Sequence, residues 1–174
     1  MKEMIRYGFI LAVICVVASG LLAGVNVLTK SRILAQAEAE EEASLKEVMP
    51  LAEHFEAVKS GNDILYYKAH DKNGKLIGLA FKAAGKGYSS IVETMVGMAK
   101  DGKITAIKVL SQNETPGLGA NVADSKFAAQ FSGKDIPGLS EVQAITGATI
   151  SSRAVIDAVK KRAQDLEGIL KNAK

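Results

Sequence analysis

Cysteine, histidine and tryptophan are nearly missing from this sequence. It has one cysteine, Cys15, two histidines, His54 and His70, and no tryptophan. One cysteine cannot form an internal disulfide, ligate an iron–sulfur cluster or build a cysteine-rich zinc site. The C-x-x-C-H motif of c-type haem attachment is absent, and the two histidines are not at metal-ligand spacing. Any redox chemistry therefore needs an organic carrier.

An excess of charge of one sign is also missing. The 174 residues include 22 basic and 19 acidic side chains, a net charge of +3. This small excess gives no electrostatic case for nucleic-acid binding, so we expect no nucleic-acid partner. The P-loop, H-E-x-x-H and G-x-S-x-G motifs do not occur. With 48% apolar and 24% charged residues, the composition is typical of a globular chain.

An apolar run dominates the N-terminus. No charged residue occurs between Tyr7 and Thr29, and about 20 apolar residues cross a bilayer as a helix. A cleaved signal peptide is the alternative, since Lys2 and Arg6 form a short basic segment ahead of the run. Its apolar core would be only roughly 7–15 residues long, so we predict an uncleaved transmembrane anchor over residues 1–30. Basic residues flank both ends of the run, so charge does not decide its orientation.

Helix-forming residues follow the anchor. Alanine, glutamate, leucine and lysine are abundant in residues 31–50, and Pro50 ends the pattern because a proline disfavours helix in the residue before it. We predict a connecting helix over 31–50. The remaining residues, 51–174, are enough for one domain with its own core.

Strand and turn signals then alternate. Apolar runs flank Asn73-Gly74 and Asp101-Gly102, which predicts two β-hairpins. A short amphipathic piece over 54–59 precedes them. A helix is expected over 124–131, with Asp124 as its N-cap, and a long helix with one apolar stripe over 152–172. The fold class is therefore α+β, with an antiparallel sheet and flanking helices after a single transmembrane helix.

Three segments rich in glycine, threonine and serine are candidate ligand sites. T-G-A-T at 146–149 precedes the last helix, whose first N–H groups favour a phosphate, although these residues also serve as ordinary caps. E-T-P-G-L-G at 114–119 follows a strand and is otherwise a turn. G-K-G-Y-S-S at 85–90 lies between strands, which argues against a Rossmann motif and leaves an ordinary loop as the alternative.

Together these segments resemble one family. The chain is similar to the G subunit of the Rnf complex, a membrane-bound, ion-translocating ferredoxin:NAD oxidoreductase, and more distantly to the C subunit of the sodium-pumping NADH:quinone reductase. The matching residues are 85–98, 101–104, 109–119 and 145–155. An anchor ahead of the domain also matches, so the resemblance covers nearly the whole chain. The joint presence of E-T-P-G-L-G and T-G-A-T is specific, whereas T-G-A-T alone is weak.

The resemblance implies an FMN-binding domain whose FMN is covalently joined, through its phosphate, to the Thr149 hydroxyl. A separate flavin transferase, using FAD and Mg²⁺, would make this bond during maturation. The other implied contacts are Thr146, Gly147, Ala148, Glu114, Thr115, Gly117, Leu118, Gly119 and Tyr88. Leu118 is expected to cover the flavin ring, and Tyr88 lies in the loop that approaches it. Gln143 stands where the family usually has aspartate, which predicts slower modification.

The implied function is electron transfer. The chain would be a membrane-anchored subunit of a ferredoxin:NAD oxidoreductase that moves Na⁺ or H⁺, with other membrane and cytoplasmic subunits as partners. Its flavin domain would lie on the outer face of the cytoplasmic membrane, and the chain alone would only carry electrons. One alternative is the equivalent subunit of the sodium-pumping NADH:quinone reductase, whose chain is usually longer. The other is a membrane-anchored binding or assembly module without flavin.

Overall fold

A long helix, a five-stranded sheet and a C-terminal helix succeed one another in the computed structural model, which describes residues 2–61 and 63–172. The main elements are α1 (Lys2–Val48), β1 (His54–Ser60), β2 (Asp63–His70), β3 (Leu76–Lys86), β4 (Ile91–Ala99), β5 (Ile104–Ser111), α2 (Ser125–Ala128) and α3 (Thr149–Asn172). The chain divides into two compact units, Met1–Glu40 and Glu41–Lys174. The predicted α+β class with an antiparallel sheet is confirmed.

Helix α1 contains the apolar run. It is long and apolar enough to cross a membrane, and the large side chains of the run are exposed, such as Leu22 and Leu28. Exposed apolar side chains on a helix of this length are what a lipid environment requires. The helix continues without a break through the predicted connecting segment to Val48.

The sheet is an antiparallel meander with the strand order β1-β2-β3-β4-β5. Both predicted hairpins are confirmed, and their turns contain Gly74 and Gly102 at φ 75° and 85°, a conformation that side chains with a Cβ rarely adopt. Strand β1 is not predicted from the sequence, because residues 54–59 show no clear alternation and only pairing with β2 makes them a strand.

Both faces of the sheet are buried. Helix α3 and the segments before it cover one face, with Phe81, Val96 and Val159 in the core. Residues at the end of α1 and just after it, Leu45, Val48, Met49 and Ala52, cover the other face. Opposite-facing neighbours in β3, such as Leu79, Ala80 and Phe81, are consequently all buried, which gives a continuous apolar run where a one-sided sheet would alternate.

The helices near the site begin and end at positions other than those predicted. The expected helix over 124–131 is one short turn, α2, followed by a 3₁₀ turn (Ala129–Phe131). Asp124 lies at the N-cap position of α2, but its side chain makes no cap hydrogen bond. Helix α3 begins at Thr149, three residues before the predicted start. The reversal of the chain occurs earlier, at Gly147, where φ is 78°.

Candidate functional site

Three chain segments that lie far apart in sequence meet at one cleft. They are the β3–β4 loop (87–90), the segment after β5 (114–119) and the residues just before and at the start of α3 (147–151). The cleft has a volume of about 420 Å³, within the usual range for a small-molecule site. Its lining residues are Tyr88, Glu114, Thr115, Leu118, Gly119, Gly147, Ala148, Thr149, Ile150 and Ser151.

The β3–β4 loop is a tight turn that presents a row of N–H groups. Strand pairing ends at Lys86 and Ile91, and the Gly87 N–H donates to the Ser90 carbonyl at 2.8 Å. The N–H groups of the three residues from Tyr88 to Ser90 then donate to the Glu114 carboxylate at 2.9–3.0 Å. The loop is therefore fixed by the segment that follows β5.

Glu114 is a buried, ionised group at the wall of the cleft. Only 5% of its surface is exposed, and burial by itself raises the pKa of its carboxyl group. The Ser151 hydroxyl, which donates to it at 2.5 Å, and the N–H groups of Ser90, Ser89 and Tyr88 oppose this effect. Together they lower the pKa from 4.5 to about 2. The carboxylate is therefore charged at neutral pH.

Two glycines allow the chain to pack against this carboxylate. A Cβ at Gly87 would lie 2.6 Å from Oε1 of Glu114. A Cβ at Gly119 would lie 2.8 Å from Oε2 of Glu114 and 2.6 Å from Oγ of Ser151. Any side chain at either position would push the carboxylate away from its donors.

The start of α3 presents one exposed hydroxyl to the cleft, that of Thr149. Ala148 is buried, and its carbonyl accepts the Ser152 N–H at 2.9 Å. This is the first α-helical bond of α3, so the N–H groups of the three residues from Thr149 to Ser151 precede it, as the geometry of a helix start requires. Thr149 is exposed, whereas Ser151 and Ser152 are buried.

Large apolar side chains surround the same cleft and remain exposed. Tyr88, Ile150 and Leu118 are 74%, 57% and 48% exposed. Exposed apolar groups next to a concave site are typical of ligand contact. The cleft offers exposed apolar side chains to a flat ring and the first N–H groups of α3 to a phosphate. The residues present therefore suit the FMN that the family resemblance implies.

Most of the implied contacts lie together here. Two do not line the cleft: Thr146, which is exposed in the loop before it, and Gly117, which forms a turn at φ 76°. Ile150 and Ser151 are lining residues that the sequence did not reveal, because a serine near a helix start is ordinarily a cap. Ser151 instead donates to Glu114. Among the described residues, no cluster of three or more potential metal ligands is found.

Comparison with known proteins agrees with this architecture. Residues 87–164 match the model of the FMN-binding domain, and residues 1–48 match the RnfG N-terminal region. The G subunit of the ion-translocating oxidoreductase complex of Methanosarcina acetivorans is 36% identical, with 91% of this chain and 92% of that protein aligned. The G subunit of the Na⁺-translocating ferredoxin:NAD⁺ oxidoreductase complex of Acetobacterium woodii is 33% identical, over 98% and 95% of the two chains.

A solved structure shares the fold. NqrC from Shewanella oneidensis superimposes with a TM-score of 0.56 over 72% of this chain and 74% of that one, at 24% identity. At this identity the likeness concerns the fold alone, and the assignment to a family depends on the sequence relatives.

Proposed function

The chain belongs to the family of Rnf complex G subunits, and on this premise we propose that it is a membrane-anchored electron-transfer subunit carrying FMN on Thr149. Its complex would be an ion-translocating ferredoxin:NAD oxidoreductase that moves Na⁺ or H⁺. The oxidoreductase activity belongs to the whole complex, and this chain contributes an electron carrier. The anchor, the cleft and the start of α3 are the parts of the chain that support this proposal.

The observation that carries the proposal is the position of the Thr149 hydroxyl. Thr149 is the first residue of α3 and lines the cleft. A phosphate esterified there would lie at the positive end of the helix dipole and within reach of N–H groups that precede the first helical bond. The ester forms when Oγ1 of Thr149 displaces AMP from FAD, a transfer that we assign to a separate Mg²⁺-dependent flavin transferase.

The neighbouring hydroxyls are poorer candidates for attachment. Those of Ser151 and Ser152 are buried and already donate hydrogen bonds to Glu114 and Ala148. Thr146 is exposed but lies before Gly147, outside the residues that line the cleft. Thr149 is therefore the hydroxyl that combines exposure, contact with the cleft and proximity to the helix start.

The bound FMN would supply reversible one- and two-electron transfer. The chain positions it. Leu118 and Tyr88 would cover its ring and limit water around it, while the backbone at Gly119 and Gly147 would permit a close approach. We propose that the described residues bind and orient the flavin, whereas NAD and ferredoxin are handled by other subunits.

Intact mass of the purified chain tests the attachment. After coexpression with the flavin transferase, the parent should gain the mass of one FMN less one water, and the band should fluoresce under ultraviolet light on a denaturing gel. Thr149→Ala should lose both signals, while Thr146→Ala, the matched control, should keep at least part of them. Flavin on Thr146, Ser151 or Ser152, or its retention in Thr149→Ala, would refute the assignment. A parent chain without added mass would favour a non-redox module.

Gln143 offers a second test of maturation. Its backbone N–H donates to the Gln130 side chain at 2.9 Å, and its own side chain is exposed. Gln143→Asp keeps this backbone bond and restores the residue usual in the family, so the variant should fold normally. It should increase the initial rate of FMN attachment by the transferase, and an unchanged or slower rate would contradict a role in recognition.

Family resemblance also supports a topology. We propose that residues 30–174 lie on the outer side of the cytoplasmic membrane, where the domain can contact other membrane subunits of the complex. Ser60→Cys in a Cys15→Ala background places one thiol at an exposed position of β1. A membrane-impermeant thiol reagent should label it in intact cells, and labelling only after lysis would reverse the orientation.

A further inference from the structure

Glu114 holds together the three segments that form the cleft. Its five donors come from two of those segments, while the residue itself belongs to the third. We propose, on the premise of the flavin function above, that Glu114 is a positioning residue whose carboxylate fixes Tyr88 relative to Thr149 and does not itself contact the cofactor. This differs from the role that the family resemblance implies for it, which is a direct flavin contact.

The hydrogen-bond inventory of the carboxylate supports this assignment. Oε2 accepts from the Tyr88 N–H at 3.0 Å and the Ser151 hydroxyl at 2.5 Å. Oε1 accepts from the N–H groups of Ser89 and Ser90 at 3.0 and 2.9 Å, and from the Ser90 hydroxyl at 3.3 Å. An ionised carboxylate has about four acceptor sites, so these donors saturate it and leave no capacity for a ligand.

Space and charge lead to the same conclusion. Gly87 and Gly119 pack closely against the Glu114 carboxylate, and neither glycine leaves room for a methyl group between its Cα and the carboxylate oxygens. A negative charge would also repel the phosphate that we place on Thr149, so Glu114 cannot serve as a phosphate ligand. Its charge is instead stabilised by the N–H and hydroxyl donors that hold it.

The geometric consequence is a link between the two ends of the cofactor site. Tyr88 lies on the loop whose N–H groups bind Glu114, and Ser151 is two residues beyond Thr149 in the first turn of α3. One carboxylate therefore fixes the position of both elements. Without it, the loop and the helix start would lose their shared anchor, and the ring would be less well ordered than the phosphate.

The test uses the full chain in detergent micelles, with and without flavin. Glu114→Gln places an NH₂ group among donors, so it cannot accept from the whole set. Ser151→Ala removes only the link to α3 and keeps the loop bonds. Glu93→Gln removes an exposed carboxylate from neighbouring β4 and serves as the matched control.

Hydrogen–deuterium exchange of the peptide spanning 87–90 and fluorescence anisotropy of the flavin are measured. Glu114→Gln should accelerate exchange of the loop at least about tenfold and lower the anisotropy. Ser151→Ala should lower the anisotropy while leaving loop exchange within about twofold of the parent. Glu93→Gln should change neither quantity.

The outcomes separate this proposal from the assigned function. Unchanged anisotropy in both Glu114→Gln and Ser151→Ala would overturn the positioning role, as would unchanged loop exchange in Glu114→Gln. If the parent carries no covalent flavin, the proposed function fails, and loop exchange in the unmodified chain still reports whether Glu114 holds the loop. If Glu114→Gln fails to fold, Ser151→Ala decides the proposal through the flavin anisotropy.

Discussion

Acid should destabilise this protein by protonating the Glu114 carboxylate. The carboxyl group has a pKa of about 2 in the folded chain, against an ordinary value of 4.5. Because the folded value is the lower one, ionised Glu114 stabilises the fold at pH values above about 4.5. This contribution is lost as the pH falls from 4.5 to about 2.

The size of the effect follows from the two pKa values. Their difference corresponds to about 3 kcal/mol of unfolding free energy. The carboxylate lies at the wall of an open cleft, so water screens part of its interactions. We therefore expect about 2 kcal/mol, which is a substantial part of the total for a domain that is stable by only about 5–15 kcal/mol.

Urea unfolding of the full chain in micelles, followed by circular dichroism at several pH values, measures this contribution. The unfolding free energy of the parent should exceed that of Glu114→Gln by the largest margin at about pH 6–7. This margin should shrink by about 2 kcal/mol by about pH 2. The constant part of the difference reports the hydrogen bonds that glutamine cannot make. A margin that stays the same from neutral pH to about pH 2 would refute the claim that an ionised Glu114 stabilises the fold.

Four further predictions concern the flavin ring, the packing of α3, its helix propensity and the extent of the domain. Leu118→Asp should shift the midpoint potential of the flavin while leaving it attached, and superimposable redox titrations would contradict the placement of Leu118. Gly85→Ala should lower the unfolding free energy by about 1–3 kcal/mol, since its Cβ would meet the backbone of α3. Gly168→Ala, with nothing within 4 Å, should raise it by about 0.5–1 kcal/mol. In urea, a chain of residues 41–174 should unfold cooperatively. A chain of residues 51–174 lacks the buried side chains of Leu45, Val48 and Met49. Its unfolding free energy should therefore be lower by on the order of 5 kcal/mol.

Local signals explain which parts of the fold could be predicted. The two hairpins have Asn-Gly and Asp-Gly turns, in which the glycine adopts a positive φ. Two adjacent residues are therefore enough to predict each turn. Strand β1 could not be predicted in the same way although Gly61 stands in the turn to β2 at φ 62°. Its side chains are only slightly buried, and a register shift between Val58 and Lys59 interrupts the alternation that identifies a strand. The predicted start of α3 is three residues too late, because Thr149 and Ile150 are residue types that are also common outside helices. The structure shows that the turn lies at Gly147, with φ 78°, and that the helix begins soon after it.

The candidate site was predictable in its segments but not in its internal roles. Family resemblance brought together 85–90, 114–119 and 146–149, and the structure places residues of all three around one cleft. The function of Glu114 was hidden, because its donors lie 24 to 37 residues away along the chain. Only the folded geometry shows that its acceptor capacity is already saturated.

The second face of the sheet indicates which residues the folded domain needs. A sheet with apolar side chains on both faces must be covered on both sides, because exposed apolar area is costly. Helix α3 covers only one side, and the last turns of α1 together with Met49 and Ala52 supply the other cover. Glu41 reinforces it by accepting from the Tyr67 hydroxyl at 2.5 Å and pairing with Lys82 at 2.6 Å. In sequence these residues differ little from the helix-forming stretch before them, so composition could not show that they belong to the core. Their packing does, and it makes 41–174, rather than a fragment starting after Pro50, the piece of the chain that we expect to fold.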